Sequence, residues 1–160
     1  MAGHRTGETV SATAATLAVL RTSSRLLEEL APVFAEHDIT PARFDVLDAL
    51  GKLGKPARPA DLRARLQLPA QTMTGVLDQL QRQGLITRTA NPRDRRSILI
   101  ELTTNGRAVI DTVCPPLIDI ENDCMATLTP NERATLLKLL GKVEQRIHNR
   151  RDLAGREIRA

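Results

Sequence analysis

Residues 84–106 read GLITRTANPRDRRSILIELTTNG, and the fold turns on how this stretch is read. Leu85–Arg88 and Ser97–Leu102 are both β-prone, rich in Ile, Leu and Thr. Between them Asn91-Pro92-Arg93-Asp94-Arg95-Arg96 combines turn formers with arginine. The two runs therefore predict a β-hairpin with a basic tip. Just upstream, Met73, Val76, Leu77 and Leu80 recur at spacings of three and four, which predicts a helix over Ala70–Gln83 with Gly84 as its C-cap. Gln67-Leu68-Pro69 is a tight connection back to a short helix around Ala60–Leu66. Two short helices joined by so few residues form the pattern of a helix-turn-helix.

A helix-turn-helix followed by a hairpin with a basic tip predicts a winged helix, and the flanking sequence supplies more helices. From Ser11 to Glu36, Leu17, Leu20, Leu27, Leu30 and Phe34 recur at helical spacing, with Pro32 predicting a kink or an early stop. Thr40-Pro41 reads as an N-cap with proline at the first helical position, and opens a helix carrying Phe44, Leu47 and Leu50. Thr103 is a second N-cap, for a helix through Gly106 and Val113 that Pro115-Pro116 should break or kink. Thr129-Pro130-Asn131-Glu132 fits a capping box ahead of a last helix with Leu136, Leu140, Val143 and Ile147 on one stripe. The expected class is mainly α (α+β), a winged helix-turn-helix core with a two-stranded wing. Its expected divisions are a flexible tail over 1–10, an N-terminal dimerisation helix over 11–37, the core over 38–102, C-terminal dimerisation helices over 103–148, and a basic tail over 149–160.

Charge is unevenly spread along the 160 residues. Residues 51–100 hold ten Lys and Arg against three Asp, while residues 1–50 are net acidic and 101–160 balance. A basic middle third is the footprint of a protein that meets a polyanion. Phe34 and Phe44 are the only aromatic residues, which argues against base stacking on a sheet and against aromatic ligand cages. No CxxC, HExxH, GxSxG, GxxxxGK[ST] or GxGxxG pattern occurs, so nothing suggests an enzyme, a cofactor or a metal site. The mostly apolar run Ala12–Leu20 is about half the length of a membrane span, and a cytoplasmic protein without membrane contact is expected. Apolar stripes on the outer helices, with no obvious partner inside the core, predict a homodimer. Two recognition helices about one DNA turn apart would then read a palindromic double-stranded site.

Asp94-Arg95-Arg96, Leu102-Thr103 and Gly106 resemble the DxRxxxxxLTxxG signature of MarR-family transcriptional regulators, spacing included. Leu62, Thr72, Thr74, Leu77, Leu80, Gly84-Leu85 and Arg88 also fall where that family expects them, and the resemblance extends over about residues 12–148. It implies a dimeric winged helix that binds pseudo-palindromic promoter DNA, usually as a repressor released by a small molecule. Ala70–Gln83 would be the recognition helix, with Gln71, Thr72, Thr74, Gly75, Asp78, Gln79 and Arg82 facing outward. Gln71 and Gln79 suit adenine edges and Arg82 a phosphate or guanine. Arg88, Arg93 and Arg95 complete the expected DNA-binding set, with Arg93 and Arg95 at the tip, while Asp94 and Arg96 would hold the wing by ion pairing. Gly75 and Gln79 stand where the family often carries larger or basic side chains.

An effector pocket between the dimerisation helices and the winged helix would take Arg21, Arg25, His37 or Arg43 as polar anchors. Cys114 and Cys124 are expected as inert, buried thiols. The leading expectation is a ligand-responsive repressor. Its alternative is a winged-helix protein-interaction module without specific DNA binding, against which the arginines of the wing argue.

Overall fold

A computed structural model describes residues 11–157, apart from the side chains of Arg95 and of residues 151–157; the tail expected over 1–10 lies outside these. The elements run α1 (Ala12–Glu36), α2 (Pro41–Leu53), α3 (Pro59–Leu66), α4 (Ala70–Arg82), β1 (Ile86–Asn91), β2 (Asp94–Leu102), α5 (Thr104–Cys124) and α6 (Pro130–Glu157). The chain divides into two compact units, residues 1–120 and 121–160.

In the first unit the caps form as their residues dictate. The Ala14 amide donates to Ser11 Oγ at 3.1 Å at the start of α1, and the Arg43 amide donates to Thr40 Oγ1 at 3.4 Å ahead of Pro41. Gly54 closes α2 in the left-handed region, at φ 61°. Gln67 ends α3 in the same region, at φ 52°. The core gathers Phe44, Val46, Leu47 and Leu50 of α2, Leu62 of α3, and Met73, Val76, Leu77 and Leu80 of α4, closed by Ile86 and Ile100 from the hairpin. The 38–102 segment does not close it alone. Val33 and Phe34 enter from α1, Val113 and Leu117 from α5. The Phe34 and Phe44 rings meet with centroids 5.9 Å apart, tilted by 57°.

The hairpin is longer and its turn tighter than the β-prone runs suggested. Ile86 pairs with Leu102 and Ala90 with Ile98, the register slips, and Asn91 then pairs with Asp94. The Asn-Pro-Arg-Asp-Arg-Arg stretch is thus mostly strand, with Pro92 and Arg93 at the turn. Ala57 joins the far edge of β2, exchanging two backbone hydrogen bonds with Ile100 at 3.0 and 2.8 Å.

Two proline expectations are corrected. Helix α1 continues through Pro32 to Glu36, and α5 runs unbroken through Pro115 and Pro116. The prolines remove two donors from α5, yet the carbonyls left without them belong to the exposed Asp111 and Thr112, which water can reach. Meanwhile Val113 and Leu117 pin the opposite face into the core.

The signature residues Thr103 and Gly106 lock α5 onto the turn between α4 and β1. Thr103 Oγ1 donates to the Gly84 carbonyl at 2.7 Å and accepts from the Gly106 amide at 3.0 Å, while its own amide donates to the Leu85 carbonyl at 3.1 Å. A Thr103→Val variant should lose both hydroxyl bonds at a half-buried site. The expected loss of stability is about 1–3 kcal/mol, read by urea denaturation; an unchanged midpoint would remove the hydroxyl from the lock.

The second unit holds the capping box. Thr129 amide and hydroxyl both donate to Glu132 Oε2, at 2.8 and 2.7 Å, and the Glu132 amide returns a bond of 3.3 Å to Thr129 Oγ1. These bonds hold the Glu132 carboxyl below the usual carboxylate range, the Thr129 amide contributing most. Helix α6 continues beyond 149, so that most of the expected basic tail is helical. Its stripe of Leu136, Leu140, Val143 and Ile147 is exposed throughout, as are Leu17, Leu20 and Leu27 on α1.

Candidate nucleic-acid interface

Helix α4 buries Met73, Val76, Leu77 and Leu80, so geometry turns the other side to solvent. Gln71, Thr72, Thr74, Gly75, Asp78, Gln79 and Arg82 are all exposed there. Two of these side chains are bound back to their own helix. Thr74 Oγ1 donates to the Ala70 carbonyl at 3.0 Å, and Arg82 Nε to the Asp78 carbonyl at 3.4 Å. A Cβ on Gly75 would meet nothing within 4 Å, so the fold gives no packing reason for glycine at that point.

The hairpin tip is tied together by its own short polar side chains. The Arg93 amide donates to Asn91 Oδ1 at 3.0 Å and Asn91 Nδ2 to Ser97 Oγ at 2.8 Å; Ser97 Oγ donates in turn to the Asp94 carbonyl at 3.1 Å. Asp94 Oδ1 accepts the Arg96 amide at 3.0 Å. Asp94 therefore braces the wing through the backbone of Arg96, and among the described residues no ion pair joins the two side chains, contrary to expectation. A carboxylate two residues before an amide reaches it as a local Asx bond, without a long cationic side chain having to fold back. Arg93 and Arg96 are exposed. Arg95 has its backbone in β2 and its side chain outside the described residues.

Lys55 and Arg58 stand beside this tip, across a cleft of about 580 Å³ whose wall also includes Asn91, Pro92 and Arg93. Arg58 donates to both carboxylate oxygens of Asp61, at 2.9 and 2.8 Å, which holds the Asp61 carboxyl below its ordinary range. The sequence offered no sign that this loop adjoins the wing, because the pairing of Ala57 with Ile100 spans more than forty residues.

Arg88, expected among the DNA-binding residues, is tied to the recognition helix. It faces α4 and pairs with Asp78, Nη2 to Oδ1, at 2.5 Å. The remaining expected residues lie elsewhere. Arg21 and Arg25 are exposed one turn apart on α1; His37 caps the end of that helix and Arg43 lies in the first turn of α2. Arg21 and His37 are sixteen residues apart, about 24 Å along a helix, so the four do not gather around one small ligand within a single chain. They line none of the clefts around α4 and the wing. Cys114 is half-buried against the core and Cys124 half-buried at the end of α5. Among the described residues no group of three His, Cys, Asp or Glu is placed to hold a metal, and no helix is long and apolar enough to cross a membrane.

A recognition helix with a polar outer face, set beside a two-stranded wing with a basic tip, defines a winged helix-turn-helix DNA-binding module. The sequence model of the MarR family matches residues 37–97. The transcriptional regulator PecS of Dickeya dadantii is 32% identical over 133 residues, covering 82% of this chain and 80% of that protein. The crystal structure of a mutant MarR from Escherichia coli in complex with operator DNA superposes with a TM-score of 0.71, at 31% identity over 80% of this chain and 91% of that one. A structure of BpsR from Bordetella bronchiseptica, whose DNA binding is regulated by 6-hydroxynicotinic acid, gives a TM-score of 0.74 at 26% identity, covering 89% of this chain and 98% of that one. The chain belongs to the MarR family and is a DNA-binding transcriptional regulator.

Proposed function

We propose that the chain works as a homodimeric, ligand-responsive repressor of the cytoplasm, without enzymatic activity, that binds a pseudo-palindromic operator. One observation carries this reading: the outer face of α4 and the Arg93 tip stand exposed on one unit, while Asn91 and Asp94 turn their polar atoms inward to the hairpin's own bonds. In this arrangement α4 enters the major groove, with Gln71 and Gln79 matched to adenine edges, Thr72, Thr74 and Gly75 close to the groove floor, and Arg82 beside the phosphates. Arg93 and Arg95 reach into the adjoining minor groove, where the potential is most negative. A second copy of the chain covers the exposed apolar stripes of α1 and α6, which places two recognition helices on one face of the duplex. The effector reading is supported by the likeness to BpsR, with Arg21 and Arg25 as the paired cations suited to a small organic acid.

The test is a titration of the protein against its own upstream intergenic DNA and an equal-length random duplex, across salt. Log affinity should fall with log salt by about 0.9 per phosphate contacted, and the cognate duplex should be preferred about a thousandfold. Arg93→Ala and Arg95→Ala should each weaken cognate binding by about 1–3 kcal/mol. Equal affinity for the two duplexes would sink the operator reading, and unchanged affinity in both variants would remove the wing from it.

A further inference from the structure

We infer that Asp78 and Arg88 form a strut that sets the wing against the recognition helix, and that Arg88 serves DNA binding through this strut and not as a phosphate ligand; the inference rests on the operator-binding reading above. Strand alternation places Arg88 on the same face as the buried Ile86, and its cross-strand partner Ile100 is fully buried. That face packs toward α4. The Arg88 side chain is accordingly only 27% exposed, lines a cleft with Met73, Thr74, Leu77 and Ile98, and pairs with the Asp78 carboxylate. Its Nε is buried with no hydrogen-bond partner. A guanidinium in this position is partly desolvated and directed at a carboxylate, so reaching a phosphate would mean breaking that pair.

Asp78 gives the second half of the argument. It is an anion on the polar face of a helix that approaches a polyanion, and by charge alone it opposes DNA binding. Its pairing with Arg88 cancels that charge and spans the two structures that must enter neighbouring grooves in fixed relation. The turn between α4 and β1 is three residues, Gln83–Leu85, and Thr103 ties it to the base of the wing; the Asp78–Arg88 pair adds a link farther out along β1, directly to the recognition helix.

The test uses the full chain with Asp78→Asn, Arg88→Gln, the double variant and Asp78→Glu. In the free protein, amide hydrogen exchange along β1 should rise in Asp78→Asn and in Arg88→Gln, and return toward the parent in Asp78→Glu. Operator affinity in Asp78→Asn should fall about tenfold, the effect of one charge-assisted hydrogen bond, although the change removes a negative charge from the DNA-facing side. The double variant should bind no more weakly than either single one. Asp78→Asn binding as tightly as the parent or tighter, with Arg88→Gln alone losing affinity and about 0.9 of salt slope, would overturn the strut and make Arg88 a phosphate ligand. If the parent chain shows no operator preference, it is the DNA reading that fails, and the exchange measurement judges the strut by itself: unchanged β1 exchange in Asp78→Asn overturns it.

Discussion

Replacing Gly106 with alanine is expected to destabilise the protein by about 3 kcal/mol or more, lowering the melting temperature by about 10 °C. A Cβ at this position would lie 2.1 Å from the Leu85 carbonyl oxygen and 3.0 Å from Leu102 Cδ2. The first obstacle is backbone, and that same oxygen also accepts the Thr103 amide, so it cannot retreat without breaking the lock between α5 and the α4–β1 turn. The matched control is Gly75→Ala. It fills open space in the middle of an exposed helix, and should stabilise the fold by about 0.5–1 kcal/mol. Melting curves of the two variants should therefore move in opposite directions. A Gly106→Ala protein that melts with the parent would mean that α5 does not sit this close to Leu85.

Introducing arginine at Leu140 should abolish the dimer and, with it, lower operator affinity by about a hundred- to ten-thousandfold, the advantage that two linked half-sites hold over one. Leu140 sits at the centre of the stripe formed with Leu136, Val143 and Ile147, all exposed in the single chain. Twofold symmetry sets each substitution into the interface twice, so one change buries two guanidinium groups without partners. The readout is sedimentation velocity at micromolar protein, followed by operator titration. A variant that still sediments as a dimer would place the subunit contact elsewhere than on α6.

The residues that fixed the fold in advance were those whose effect is local. Thr40-Pro41, Thr129 with Glu132, and Gly84 at φ 68° each act within one helical turn, and the structure uses each as a cap or helix end. The stripe of Met73, Val76, Leu77 and Leu80 likewise predicted which side of α4 is buried. Pro32, Pro115 and Pro116 misled for the opposite reason. Their cost depends on whether the carbonyls they leave unpaired reach water, and that depends on how the helix packs. The strand limits were missed because the Asn, Asp and Ser that read as a loop spend their side chains on holding a two-residue turn. The pairing of Arg88 with Asp78 was not legible because a basic residue near a DNA-binding wing looks alike in sequence whether it faces a phosphate or an aspartate ten positions away. Alternation from Ile86 was the one available signal of its direction.

The knot of bonds among Asn91, Arg93, Asp94, Arg96 and Ser97 also bears on the cost of binding. Fixing the backbone of a flexible residue costs about 1–2 kcal/mol, and a floppy tip would meet that cost each time it entered a groove. Here the conformational entropy of the turn's backbone is surrendered once, during folding, so Arg93 is presented from a backbone already set. The same economy fixes the reach of the tip: one extra residue between Pro92 and Arg93 would separate Asn91 from the amide it holds. Length variants of this hairpin should thus be far less tolerated than changes to the outward side chain at position 93.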